Sequence, residues 1–293
     1  MLTLDEVRRQ RRRRPPPSLK QQYEEYVMQR IETFKNSLPR GDLLRLGDDA
    51  FAELQSAAES QFILTEVLMA ESVDRMITRR LGIPSYRKWR ANYAALREAQ
   101  REPNHWGLDG GSAVARLVPR IERGDHVLVV GAAAEPAAYL MAAHDAAVTF
   151  VAADLGVVER AEQRMAEESL ASQFMGLVVA LGHWFPVLES PANVAIVDAG
   201  ALVDMDPADR PGLMAMLQGA TAPNGVHVVV PGTPALAPEA LLPFYPDWIR
   251  EDLSNGRRKG ARRSEGIILA KPACLTDTDM DASEAHAPGA WEQ

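Results

Sequence analysis

The sequence predicts an α/β protein in which a helical region precedes a doubly wound, mainly parallel sheet. From His126 onward, short apolar runs alternate with helical stretches, which is the pattern of consecutive βαβ units. Residues 127–130 are apolar at every position, which is typical of a strand that helices cover on both faces. Upstream, residues 18–101 carry apolar side chains at three- and four-residue steps, which indicates helices.

The helical region contains two apolar stripes. The first comprises Tyr23, Tyr26, Val27, Ile31 and Phe34. The second runs to Leu81, where Gly82 and Pro84 are expected to end a helix, and another helix is expected to begin near Ser85. We expect these helices to pack on one another through their apolar faces. The side chains expected to be buried there are Phe62, Val67, Trp89 and Tyr93.

Five strands are expected in the α/β region, with helices between them. The predicted strands are 127–130, 147–151, 175–181, 194–198 and 226–230, and helices are predicted to end near Ala143 and to span 157–168 and 207–218. Right-handed crossovers bring the carboxyl ends of parallel strands to one edge of the sheet. We therefore expect a crevice beside Gly131 and Asp198, each of which follows or ends an apolar strand.

Composition excludes several classes of protein. The 293 residues include one cysteine, Cys274, so neither an intrachain disulfide framework nor a multi-cysteine zinc site is expected, and no metal site is predicted. No apolar run approaches the ~18 residues that span a bilayer. The N-terminus is basic and runs into prolines, unlike a signal peptide, and we expect a cytoplasmic location. A net charge of −8 argues against a general nucleic-acid binder.

Five segments resemble the motifs of class I S-adenosylmethionine (SAM)-dependent methyltransferases. They are Val-Leu-Val-Val-Gly-Ala-Ala-Ala at 127–134, Val-Thr-Phe-Val at 148–151 with Val-Glu-Arg-Ala at 158–161, the strand and turn at 194–200, Ala-Pro-Asn-Gly and the strand after it at 222–230, and the pair 245–249 and 266–272. The resemblance covers residues 110–272 and is greatest to the small, tellurite-resistance-type branch. It implies a Rossmann-like seven-stranded methyltransferase sheet whose strands six and seven form an antiparallel hairpin, with SAM as the cofactor.

The first motif departs from the family pattern, which is an acid, one residue and Gly-x-Gly-x-Gly. Val129 stands in the place of the acid, and only the first glycine is kept, as Gly131. Ala133 and Glu135 replace the other two glycines. An alanine held at positive φ would cost about 1 kcal/mol. Glu135 is expected either to block the cofactor or to pair with its ammonium group, and the resemblance implies cofactor contacts along Gly131, Ala133 and Glu135.

The ends of the second and third strands carry three further candidates for cofactor binding. The family places an acid for the ribose hydroxyls where this sequence has Ala152, and Asp154 follows two residues later. Asp154 is expected either to bind the ribose or to cap the next helix. After the third strand, Trp184 is expected either to stack on adenine or to fill the core, and His183 to hydrogen-bond adenine.

Two residues are candidates for a general base. Asp198 ends the fourth strand at the crevice, where an ionisable group is typical of a reactive site; the alternative is that it caps the following segment or pairs with a backbone amide. His105 precedes the α/β domain beside Trp106, where it would either line the acceptor site or form part of a packed joint.

Charged segments suggest partners. The predicted organisation is a basic, Pro-rich flexible arm (1–17), a helical region (18–107), a SAM-methyltransferase-like domain (108–272) and an acidic disordered tail (273–293). The cations of Arg8–Arg14 and Arg257–Arg263 either bind RNA or an acidic protein or are solvated. A small-molecule acceptor is the expected partner.

The sequence thus predicts a SAM-dependent methyltransferase of unknown acceptor and low activity. Transfer would be a direct displacement assisted by positioning of the two reactants. The alternative is an inactive methyltransferase-like scaffold or binding protein, which the missing acids and glycines favour. A nicotinamide dehydrogenase is disfavoured, because Pro136 stands where its third glycine would be.

Overall fold

A computed structural model describes residues 18–57, 66–185, 187–188, 190–203, 205–232, 236–251 and 266–272. The chain divides into two compact units, Met1–Leu96 and Arg97–Gln293. Several predicted features lie outside the described residues: the basic arm, Phe62, the cations at Arg257–Arg263 and the acidic tail. No helix in the described ranges is long and apolar enough to cross a membrane.

Four helices begin in the part of the first unit that the structure describes. They are α1 (Leu19–Ser37), α2 (Arg40–Ala57), α3 (Glu66–Arg80) and α4 (Tyr86–Gln100), the last of which continues into the second unit. Ser18 starts α1 with a capping box, since its side chain accepts from the Gln21 N–H while the Gln21 side chain accepts from the Ser18 N–H. Gly82 follows α3 with a φ of 59°, as expected for a helix end.

The apolar stripes of the first unit form a small core around Ile31, Leu46 and Ile77. The rings of Trp89 and Tyr93 stack at 5.2 Å and are half-buried. Val67 was predicted to be buried, and this is wrong: its side chain is 65% exposed. It lies in the first turn of α3, whose buried residues are Ser72 and Ile77.

The second unit contains a seven-stranded sheet. Its strands are β1 (His126–Val130), β2 (Ala147–Ala152), β3 (Phe174–Val178), β4 (Ala192–Asp198), β5 (Thr221–Val230), β6 (Ile249–Glu251) and β7 (Ile267–Ala270). Their order is β3-β2-β1-β4-β5-β7-β6. The first five strands are parallel, and β7 is antiparallel to both β5 and β6. The predicted Rossmann-like sheet with a closing antiparallel pair is confirmed.

Helices cover both faces of this sheet. They are α5 (Ala113–Leu117), α6 (Glu135–Ala143), α7 (Leu155–Glu167) and α8 (Arg210–Gly219). One apolar cluster includes α6 and α7, and the other includes α8. Within β1, Val127 and Val129 face the first cluster, whereas Leu128 and Val130 face the second. A strand buried on both faces has no solvent side, which explains why this segment is apolar throughout.

The strand order reverses at β1, which pairs with β2 on one side and with β4 on the other. In open α/β sheets, ligands bind at the carboxyl ends of the strands where the order reverses. The fold therefore indicates that the candidate ligand site is the edge where β1 and β4 end.

Candidate functional site

A sharp turn leaves β1 at this edge. Gly131 follows the strand with a φ of 100°, a conformation that favours glycine, and its N–H donates to the Val151 carbonyl oxygen at 2.8 Å. A Cβ at Gly131 would lie 2.5 Å from the Cβ of Asp198 and 2.8 Å from the Cβ of Ala201. Both the backbone conformation and the packing therefore require glycine here.

Asp198, at the end of β4, has its carboxylate directed at this turn. Oδ2 accepts from the Ala133 N–H at 3.0 Å, and Oδ1 accepts from the Gly200 N–H at 2.7 Å. The residue is 4% exposed. Gly232, after β5, packs so closely that a Cβ there would lie 1.7 Å from Oδ1. Gly131 and Asp198 thus lie side by side, as predicted. The Asp198 carboxylate occupies the space between the turn after β1 and the turn after β4.

The backbone of the turn differs from the sequence prediction at Ala133. Residues Ala132–Ala134 form a 3₁₀ turn. The non-glycine residues with positive φ in the described part of the chain are Asp145, Ser169 and Asn224. The strain expected at Ala133 is therefore wrong, because Gly131 alone provides the reversal.

Asp154 lies at the end of β2, where it caps α7. Its Oδ1 accepts from the Val157 N–H at 3.0 Å, which confirms the capping alternative. Ala152, in the family's position for the acid, is buried at 2% exposure, and the following residue, Ala153, is exposed. The ribose-binding role of Asp154 stays a prediction.

Apolar side chains are exposed beyond β2 and β3. Trp184 is 58% exposed, so its alternative role as a core residue is wrong. His183 is also exposed. Leu155, the first residue of α7, is 58% exposed at the same edge of the sheet. The adenine-binding roles of His183 and Trp184 stay predictions.

His105 and Glu135 lie elsewhere, in a groove of about 430 Å³ lined by α6, α7 and the 3₁₀ turn Pro103–Trp106. The His105 ring lies edge-on to Trp106 at 4.6 Å, and its Nε2 is 3.8 Å from Glu168 Oε2. Trp106 is buried and donates to the Gln100 carbonyl oxygen at 2.6 Å. These contacts agree with the packed-joint alternative for His105.

Glu135, the first residue of α6, accepts a short hydrogen bond from the hydroxyl of Tyr139 one turn later. Burial and the neighbouring Glu135 carboxylate raise the pKa of Tyr139 well above its usual range. Arg160 and Arg164 line the opposite wall of the groove. The predicted site residues therefore divide into two groups: Gly131, Ala133 and Asp198 meet at the sheet edge, whereas Glu135 and His105 share the groove.

Gly232 was not predicted as part of the site. It follows a strand in the run Val230-Pro231-Gly232, and a glycine after a buried strand is the only signal that the sequence offered. Among the residues that the structure describes, no group of three or more His, Cys, Asp or Glu side chains is placed to hold a metal ion.

Neither a protein-family profile nor a curated protein matches this sequence. Among solved structures, the chain is similar to the glycopeptide N-methyltransferase MtfA in complex with SAM, at 19% identity over 41% of this chain and 54% of that chain, with a TM-score of 0.35. It is similar to the methyltransferase CcbJ from Streptomyces caelestis at 16% identity over 41% and 48% of the two chains, with a TM-score of 0.36. For the N-methyltransferase NodS from Bradyrhizobium japonicum WM9, the values are 14% identity, 54% and 92%, with a TM-score of 0.41. The chain spans about half the length of MtfA, and likeness at this level does not identify a substrate.

Proposed function

We propose that this chain is a SAM-dependent methyltransferase of low cofactor affinity. The observation that carries the proposal is the Gly131 turn, which leaves β1 at positive φ where the strand order reverses. Such turns let the backbone approach a nucleotide-like ligand closely. The motif resemblance over 110–272 and the closing β6–β7 pair support the same assignment. A small-molecule acceptor and a cytoplasmic location belong to the proposal.

The residues at the sheet edge fit the two ends of SAM unequally. At the adenosine end, Leu155 and Trp184 offer exposed apolar surface, but the buried Ala152 lacks the carboxylate that the family uses for the ribose. At the methionine end, the N–H of Ala133 already donates to Asp198. SAM therefore does not fit fully in this arrangement, and low affinity is the consequence.

The two predicted bases lie in different surroundings, since both oxygens of Asp198 accept hydrogen bonds whereas the buried Nε2 of His105 has no hydrogen-bond partner among the residues that the structure describes. Each oxygen of Asp198 accepts a backbone N–H, and the side chain is almost fully buried. His105 lines the groove between α6 and α7. Proton abstraction by Asp198 would therefore use a remaining lone pair of an oxygen that already accepts a backbone N–H, on a side chain that is almost fully buried.

Calorimetric titration with S-adenosylhomocysteine, the demethylated product, tests the proposal. We expect the wild type to bind in about the millimolar range. The acids that the family has at the positions of Val129 and Ala152 are missing, and the loss of two charge-assisted hydrogen bonds weakens a micromolar site to that extent. Ala152→Asp restores the acid at the end of β2 and should tighten binding about tenfold. Ala153→Asp is the matched control, since it adds the same charge at the adjacent exposed position and should leave affinity unchanged.

A methyltransferase-like scaffold without cofactor is the second candidate. The specific observation in its favour is that the Ala133 N–H donates to Asp198, so this donor is already satisfied by the chain without a cofactor. Failure of both the wild type and Ala152→Asp to bind S-adenosylhomocysteine, with both proteins folded, would favour the scaffold over the enzyme.

A further inference from the structure

We infer that Asp198 determines the ligand specificity of the sheet edge, which accepts adenosine derivatives without an amino-acid tail in preference to SAM and S-adenosylhomocysteine. The inference rests on the proposed function, since it assumes that an adenosine derivative binds where β1, β2 and β4 end. It concerns the methionine end of that site alone.

The hydrogen bonds of Asp198 join two turns that are distant in sequence. Oδ2 accepts from Ala133, 65 residues earlier in the chain, at 3.0 Å. Oδ1 accepts from Gly200, in the turn after β4, at 2.7 Å. One carboxylate thus satisfies a donor from each side of the crevice, and neither N–H is available to a ligand while it remains in place.

Packing holds the carboxylate in this position from three sides. Gly131 brings the backbone of the first turn against it, since a Cβ there would lie 2.9 Å from Oδ2. Ala201, in the turn after β4, packs against Gly131, since a Cβ at Gly131 would lie 2.8 Å from the Ala201 Cβ. Gly232 covers Oδ1 from the segment after β5, so closely that no side chain is possible without displacing the carboxylate.

A ligand with an α-carboxylate meets two obstacles here. When its α-carboxylate is directed at the Ala133 N–H, that carboxylate approaches Asp198 in a largely buried space, where like charges repel, and the α-ammonium of the same zwitterionic tail offsets this only in part because it lies farther from Asp198 in that pose. It would also have to replace Asp198 at the Ala133 N–H, and Asp198 would then lose a charge-assisted hydrogen bond. A ligand that ends at the 5′ position of the ribose meets neither obstacle.

The wild-type protein itself provides the first test. Calorimetric titration with 5′-deoxy-5′-methylthioadenosine and with S-adenosylhomocysteine compares two ligands that share the thioadenosine group and differ in the amino-acid tail. We expect the methylthio compound to bind about tenfold or more tightly than S-adenosylhomocysteine, which corresponds to one charge-assisted hydrogen bond.

Two substitutions test the role of the carboxylate. Asp198→Asn keeps the shape and one acceptor oxygen but cannot accept from Ala133 and Gly200 at the same time, and it removes the charge. Gly232→Ala leaves Asp198 intact and forces its carboxylate to move. Both should tighten S-adenosylhomocysteine about tenfold and change the affinity for the methylthio compound less than threefold. Asp206→Asn is the matched control, because Asp206 is exposed and makes the same kind of local turn, accepting from the Ala208 N–H at 2.9 Å.

The outcomes separate this inference from the proposed function. A wild type that prefers S-adenosylhomocysteine, or variants whose preference equals that of the wild type, would overturn the role of Asp198 and leave the cofactor site standing. Failure of the wild type and of folded variants to bind either nucleoside would overturn the proposed function, and this inference with it. Because the wild-type preference needs no substitution, misfolding of one variant does not remove the test.

Discussion

The Nδ1 atom of His227 lies 2.8 Å from the hydroxyl oxygen of Tyr245, in the core on the α8 side of the sheet. The other ring nitrogen, Nε2, lies 2.6 Å from Thr221 Oγ1, and this hydroxyl donates to the Leu217 carbonyl oxygen. Since Thr221 uses its proton on Leu217, Nε2–H donates to Thr221 and Nδ1 accepts from Tyr245. The imidazole is fully buried and neutral, with both nitrogens satisfied.

Protonation of His227 should therefore oppose folding. Burial and, secondarily, the charge of Lys271 lower the pKa of His227 from 6.5 to about 3. Between these two pH values the unfolded chain binds one more proton at His227 than the folded chain does. The contribution of neutral His227 to the free energy of unfolding is therefore complete above about pH 6.5 and is lost as the pH falls toward 3. Urea unfolding followed by circular dichroism across this range should show a slope of about 1.4 kcal/mol per pH unit from this group.

His227→Gln isolates that contribution. Glutamine keeps a donor and an acceptor but does not titrate, so the variant should be less stable at neutral pH and should lose the slope assigned to His227. The same substitution at the exposed His183 is the control and should keep the wild-type slope. A His227→Gln protein with the full wild-type pH dependence would contradict the assignment.

Gly225 lies in the Pro-Asn-Gly segment of β5, and we expect it to tolerate no side chain. A Cβ there would lie 2.5 Å from Thr221 Cγ2 and 2.8 Å from the Ala222 carbonyl oxygen. Gly225→Ala should therefore destabilise the protein by about 1–3 kcal/mol, the usual range for overpacking, as measured by urea unfolding.

The matched control is Gly212→Ala in α8. A Cβ at Gly212 meets nothing within 4 Å, and alanine is the better helix former, so this variant should be neutral or more stable by up to about 1 kcal/mol. If both glycine-to-alanine changes destabilise equally, the clash at Gly225 is not the cause.

The sequence could predict the frame of the candidate site because that frame depends on local patterns. An apolar run with no solvent face predicts a central strand, and the crossover rule then brings Gly131 and Asp198 to one edge. Their contact in the structure follows from these two facts.

The side-chain partners of the same residues could not be predicted. Whether Asp198 faces a ligand or the Ala133 N–H depends on how two turns 65 residues apart pack together, and no local pattern carries that information. Strain at Ala133 was expected from the family's glycines, but the 3₁₀ turn after Gly131 removes the need for a second positive φ. Val67 shows a different limit, since an apolar periodicity does not say how much of a helix its neighbours cover.

Asp145 should stabilise the turn between α6 and β2 through two arginines. Its oxygens lie 3.0 Å from Arg97 Nη2 and 3.3 Å from Arg101 Nη2, and its φ is 64°. Asp145→Asn removes the charge but suits positive φ, so it should cost about 1 kcal/mol in urea unfolding, and the cost should shrink at high salt. Asp145→Gly is the comparison, because it removes the same charge and also relieves the strain of a positive φ at this position. An asparagine variant as stable as the wild type at low salt would show that these ion pairs contribute nothing.

Glu135 should stabilise α6 without contributing to cofactor affinity. Its carboxylate accepts from Tyr139, whose ring is buried and lies 5.2 Å from Trp106, and it adds a negative charge at the helix N-terminus. Glu135→Gly should cost about 1–3 kcal/mol, because it leaves the Tyr139 hydroxyl without its acceptor and places glycine in a helix. Glu135→Gln should cost less, since the amide oxygen still accepts. In a double-mutant cycle with Tyr139→Phe, the two changes should be coupled rather than additive.

Titration of the same variants with S-adenosylhomocysteine should give affinities within about threefold of the wild type. A tenfold gain for Glu135→Gly would mean that Glu135 blocks the cofactor, and a tenfold loss would mean that it binds the cofactor, because in either case the side chain would have to reach the sheet edge and leave the groove.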